Sequence, residues 1–136
     1  MKRNLLILLF AISFFFISCS KKDNVTSHSI TGLWVGTYTA DDLSDQPPLY
    51  YAFYIQPDST IIIQGHGGDG VTYYSYGTWS LSGNSFSSSS VTLSGFNGNN
   101  SGVAETTTAI FNNTAKLEGV WKTIYHTGKF SLNREN

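Results

Sequence analysis

Internal disulfides are excluded at the outset, because Cys19 is the one cysteine in the chain. Basic residues are scarce as well. Past residue 29 only Lys116, Lys122, Lys129 and Arg134 remain against eight acids, a net charge of −4. A phosphate backbone demands a basic surface, so nucleic acid is excluded as a partner. No apolar run reaches the roughly 20 residues of a membrane-spanning helix. The longest, residues 5–17, interrupted only by Ser13, has 13. Beyond it, no helix-length window carries an apolar period of 3.6 residues.

Catalytic motifs are also missing. There is no Gly-x-Ser-x-Gly elbow. The glycine-rich His66-Gly67-Gly68-Asp69-Gly70 lacks the Gly-Lys-Ser/Thr ending of a phosphate loop, and its His and Asp make two ligands where a zinc site needs three or four. Asp41, Asp42 and Asp45 do not follow the Asp-x-Asp-x-Asp/Asn-Gly spacing of a calcium loop. His126 stands alone near a predicted turn. With no nucleophile, base and orienting group in sight, the expectation is a protein without enzymatic activity, cofactor or metal.

What is present begins at the N-terminus. Met1-Lys2-Arg3-Asn4 precedes the apolar run, the layout of a secretory signal. Phe16-Ile17-Ser18-Cys19 follows it. This resembles the lipobox of bacterial lipoproteins, in which a small residue precedes the cysteine that is acylated after cleavage. Ser18 fills the small position, and Phe16 stands where Leu is usual. The resemblance implies a signal peptide over residues 1–18 and a lipid, palmitate among its acyl chains, on Cys19. It implies export and anchoring to the bacterial cell envelope, at the outer membrane, on its periplasmic or surface face. Residues 19–29 are polar, with Lys21, Lys22 and Asp23, and without periodicity. They read as a flexible tether.

Residues 30–136 suit one domain. Eight strand-like runs, rich in aromatic and β-branched residues, fall at 32–39, 49–56, 60–65, 71–81, 85–93, 103–111, 115–124 and 129–133, with turn residues between them. The short connections favour antiparallel neighbours in a meander. Closure into an up-and-down barrel removes the exposed edges. The expected fold is therefore all-β, a single eight-stranded antiparallel barrel; a small β-sandwich is the alternative. The serine-rich stretch 85–90 is expected to form a polar outer face.

Gly-x-Trp occurs three times, as Gly32-Leu33-Trp34, Gly77-Thr78-Trp79 and Gly119-Val120-Trp121. Positions i and i+2 of a strand share a face, so each ring has room to lie over a glycine. The three pairs are expected around one end of the barrel. A Gly-x-Trp on the first strand of a small meander barrel resembles the lipocalin and avidin superfamily, and short lipocalin-like lipoproteins of Gram-negative bacteria in particular. Lipocalins pair that Trp with an Arg near the barrel's end, a place that Arg134, after the last strand, would fill. The resemblance implies a barrel over the domain, with Gly32 and Trp34 as a structural plug. It does not imply biotin binding.

Tyrosines cluster at Tyr50, Tyr51 and Tyr54 and again at Tyr73, Tyr74 and Tyr76. Adjacent tyrosines point to opposite faces. Tyr54, Tyr74 and Tyr76, with Trp79 and Trp121, are the expected lining of a ligand pocket. Two functions follow: a monomeric, membrane-tethered barrel holding a small, partly apolar ligand, or a protein-interaction module, such as a periplasmic hydrolase or protease inhibitor, acting on an envelope protein through surface loops. An open interior favours the first and a filled one the second.

Overall fold

The structure is a computed structural model that describes residues 29–43, 45–94 and 102–136. The signal, Cys19 and nearly all of the tether lie outside the described residues.

Eight strands run β1 (Gly32–Ala40), β2 (Leu49–Ile55), β3 (Thr60–His66), β4 (Thr72–Ser82), β5 (Ser85–Ser94), β6 (Ala104–Ile110), β7 (Lys116–Thr123) and β8 (Thr127–Arg134). Each pairs antiparallel with its sequence neighbour, and β1 pairs with β8 to close the barrel. The expected barrel is thus correct and the sandwich is not formed. Closure leaves no free sheet edge. Every strand begins and ends within two residues of its sequence expectation, because turn residues punctuate the chain so regularly.

Strand direction gives the barrel two distinct ends. The base carries the start of β1, the β2–β3, β4–β5 and β6–β7 turns and the end of β8. The top carries the β1–β2 loop (41–48), the β3–β4 loop (67–71) and the β7–β8 turn (124–126). Alternation along each strand sends one set of side chains inward. At the base and middle these are Trp34, Phe53, Ile55, Ile61, Ile63, Phe86, Leu117, Phe130 and Leu132, all buried. Their rings pack edge-on or tilted, as in Trp34 against Phe111 at 6.0 Å and Phe53 against Phe130 at 5.2 Å.

The base is closed by one arrangement. Trp34 is fully buried and its indole N–H donates to the Ile30 carbonyl at 2.8 Å. Arg134 lies opposite Trp34 in the β1–β8 register, with its guanidinium carbon 6.0 Å from the Trp34 ring. The same guanidinium donates to the Ser29 carbonyl and crosses over Gly32. Arg134 ends β8 and does not follow it, so strand pairing itself sets it against Trp34.

The three Gly-x-Trp pairs do not gather at one end. Trp34 opens β1 and Trp79 lies near the end of β4, which puts both at the base; Trp121 lies near the end of β7, at the top. Alternating strand direction causes the separation: β4 runs downward and β7 upward, so the same late position reaches opposite ends. Each indole staples its rim to a neighbouring segment, Trp79 donating to the Gln56 carbonyl at 2.9 Å and Trp121 to the Thr39 carbonyl at 3.0 Å.

Candidate functional site

The described residues do not fill the top of the barrel. A cavity of about 480 Å³ opens there, walled by Tyr38 and Ala40 of β1, Leu49 of β2, Tyr73 of β4, Thr92 of β5, Glu105 of β6 and Trp121 and Thr123 of β7. Leu43, Gln46 and Pro47 of the β1–β2 loop, Gly67, Gly68 and Asp69 of the β3–β4 loop, and Tyr125 and His126 form its rim. Toward the top the large inward side chains are interspersed with glycine and small or polar residues. Gly65 and Gly128 occupy inward positions there. The Tyr73 ring lies across Gly65, and Trp121 closely approaches Gly128.

The rim is tied together. His126 Nδ1 pairs with Asp42 Oδ2 at 2.6 Å, joining the β7–β8 turn to the β1–β2 loop. That bond from His126 holds the Asp42 carboxyl below its usual pKa. The Asp41 amide donates to the Thr127 carbonyl at 2.9 Å across the same seam. The Tyr38 hydroxyl donates to the His66 carbonyl at 2.8 Å, and the His66 ring lies 4.8 Å from that of Tyr50.

The cavity wall contains a buried acid. Glu105 is only 4% exposed and accepts a hydrogen bond from the Tyr51 hydroxyl. Burial pushes its carboxyl up to about 7, partly offset by that bond. Burial, reinforced by the nearby Glu105 charge, also raises the hydroxyls of Tyr38, Tyr51 and Tyr73 above the ordinary tyrosine value. Around Glu105 the inner faces of β4, β5 and β6 are polar. Ser88 and Thr107 hydroxyls meet at 2.6 Å, and those of Ser75 and Thr92 at 3.2 Å. Ser90, opposite Glu105 in the register, is buried with its hydroxyl unpartnered among the described residues.

Two expectations need correction. Tyr54, Tyr74 and Tyr76 do not line the interior; they stand on the outer face, 49%, 44% and 47% exposed. Strand parity decides this. Phe53 and Ile55 face inward on β2, so Tyr51 shares their face's parity with Phe53 while Tyr54 faces out. On β4 the inward set includes Ser75, which leaves Tyr73 inside and Tyr74 and Tyr76 outside. The serine stretch, likewise, is not wholly an outer face. Ser88 and Ser90 share the inward parity of Phe86 and are buried.

Of the other expected lining residues, Trp121 does wall the cavity. Trp79 sits at the base, half-buried, its ring stacked 6.3 Å from Phe86. The outward tyrosines have company instead. Leu33, Tyr54, Ile62, Tyr76 and Val91 are successive cross-strand partners from β1 to β5, all exposed.

Comparison with known proteins bears on the architecture. No protein-family model matches the chain, and no curated protein matches it. Among solved structures, the chain is similar to a redesigned β-barrel, mFAP1, bound to DFHBI, with a TM-score of 0.52 at 17% identity, covering 77% of this chain and 94% of that one. At that identity the likeness is one of fold: a closed, eight-stranded antiparallel barrel.

Proposed function

We propose that this chain is an exported lipoprotein, anchored through Cys19 to the bacterial cell envelope, whose barrel binds a small, partly apolar ligand in its open top. The observation that carries the binding reading is the cavity of about 480 Å³. Small-molecule sites are typically clefts of about 300–1,000 Å³ with mostly apolar walls and a few polar groups. Here Tyr38, Trp121, Leu49, Pro47 and Ala40 supply apolar wall, and Glu105, Tyr73, Thr92 and Thr123 supply polar atoms. The bound DFHBI in the similar barrel mFAP1 supports the reading, since a barrel of this fold holds a small molecule. No catalytic role is assigned to any residue. The lipid anchor rests on the Phe16-Ile17-Ser18-Cys19 resemblance.

The test is native mass spectrometry of the protein purified gently from its own cells, followed by titration of what copurifies. A released small molecule that quenches or shifts Trp121 fluorescence supports the reading. Apo protein, with no response to a broad small-molecule panel, overturns it. The outer row of Leu33, Tyr54, Ile62, Tyr76 and Val91 favours a second reading, contact with another envelope protein through that face. Loss of copurifying protein on replacing Tyr54 and Tyr76 by serine, with ligand binding intact, would separate the two.

A further inference from the structure

The chemistry of the cavity wall narrows the ligand class, an inference that rests on the small-ligand reading above. Glu105 lines the cavity yet is almost wholly buried. A carboxylate offers about four acceptor sites, and the Tyr51 hydroxyl occupies one. Among the described residues its counter-charge is missing. The ion pairs are Lys116 with Glu118 and His126 with Asp42, both on the surface. An unpaired buried carboxylate is costly, and a fold that keeps one beside an open cavity leaves it free for a bound group.

The surroundings agree in sign. Facing Glu105 are Tyr38 from β1, Tyr51 from β2 and Tyr73 from β4, whose hydroxyls stay neutral at ordinary pH. Asp69 adds a second acid at the rim, and His126 is the one basic side chain among the described lining residues. It is already engaged with Asp42. An anionic ligand would meet like charge at both Glu105 and Asp69. A neutral ligand would leave Glu105 buried and unpaired. A cation resolves both problems, and the aromatic walls add attraction through their ring faces.

We propose that the ligand is an organic ammonium ion, a protonated amine whose N–H donates to Glu105 and whose apolar body lies against Tyr38, Tyr73 and Trp121. Glu105 must be ionised to accept that charge. Affinity for an amine therefore rises with pH through about 7, where the buried carboxyl titrates, and then levels off. A neutral ligand shows no such rise.

The test is calorimetric titration of the purified protein with matched phenylalkyl and diphenylalkyl amines, alcohols and carboxylates. At about pH 8 the best amine should bind about tenfold tighter than its alcohol, the scale of one charge-assisted hydrogen bond. The advantage should shrink toward about pH 5.5 as Glu105 protonates. Glu105→Gln, checked for folding by circular dichroism, should equalise amine and alcohol. Should that variant fail to fold, the pH series on the unaltered protein decides alone. Alcohols or carboxylates binding as tightly as the amines would overturn the cation inference and leave the small-ligand reading standing. Absence of binding across all three classes would overturn both.

Discussion

The Tyr51 hydroxyl donates to Glu105 from across the barrel interior, joining β2 to β6 where no backbone ladder connects them. Both groups are buried, and the acid is the only buried charged side chain among the described residues. The pair sits at the boundary between the packed aromatic middle and the open top.

That placement makes stability depend on pH in a defined direction. Folding raises the Glu105 carboxyl from 4.5 to about 7. The folded state therefore holds a proton that the unfolded state has lost between those values. Stability from this group is complete below about 4.5 and declines as pH rises through about 7. The full difference amounts to about 3 kcal/mol, or about 10 °C in melting temperature for a domain this size. Asp42, Asp58 and Glu118, whose carboxyls are held low by hydrogen bonds, titrate below this window. Melts of the ligand-free protein from about pH 5 to 8 should show the decline, and Glu105→Gln should remove it. A flat profile would mean that Glu105 is better hydrated than its burial implies.

The three tryptophans should separate on stability. Trp34 is fully buried beneath Arg134, so Trp34→Ala should cost about 3–5 kcal/mol, the range for deleting a large buried aromatic. Trp79 is half-buried at the base, and its truncation should cost less. Trp121→Ala removes cavity wall, so it should change ligand affinity as well as stability. Thermal melts beside ligand titration of the three variants would check the order. Equal melting temperatures for the Trp34 and Trp79 variants would contradict it.

Strand limits and closure were legible because alternating apolar residues and turn residues act locally, and each run carries its own signal. Which face points inward was not, since parity is set by neighbours outside the run. Trp79 and Tyr74 or Tyr76 differ by an odd number of positions on one strand, so they cannot share a face, and anchoring parity on Trp79 points to Tyr73. The same step would have found Glu105. Residues 105–108 are all polar, yet Glu105, Thr107 and Ala109 share the inward parity of the buried Phe111. A lone acid in a threonine-rich strand reads as solvent-facing until that apolar anchor is used. The distribution of the tryptophans between the two ends required strand direction as well as pattern.

Cys19→Ala tests the anchor, which rests on sequence. If the lipoprotein reading holds, the variant should incorporate no palmitate and should leave the membrane fraction, because Cys19 is the chain's one cysteine. Metabolic labelling with cell fractionation measures both. Persistent label or unchanged fractionation would refute the lipoprotein reading without touching the barrel.

Two glycines separate the cavity from the fold. A Cβ on Gly65 would overlap the Tyr73 hydroxyl end, which is the tip of a side chain. A Cβ on Gly128 would overlap the Thr39 carbonyl, which is backbone, and come within 2.7 Å of Trp121 Nε1. The first obstacle can swing away and the second cannot. Gly65→Ala should therefore fold with a modest loss, while Tyr73 leaves its place in the wall and ligand affinity falls. Gly128→Ala must push β8 from β1 and break the Trp121–Thr39 bond, and overpacking of this kind costs about 1–3 kcal/mol or more. Denaturant melts and ligand titration on both variants read the two effects separately. Were Gly65→Ala to bind normally while Gly128→Ala melted like the unaltered protein, the top of the barrel would be looser than these contacts require, and neither Tyr73 nor Trp121 would be a fixed wall of the site.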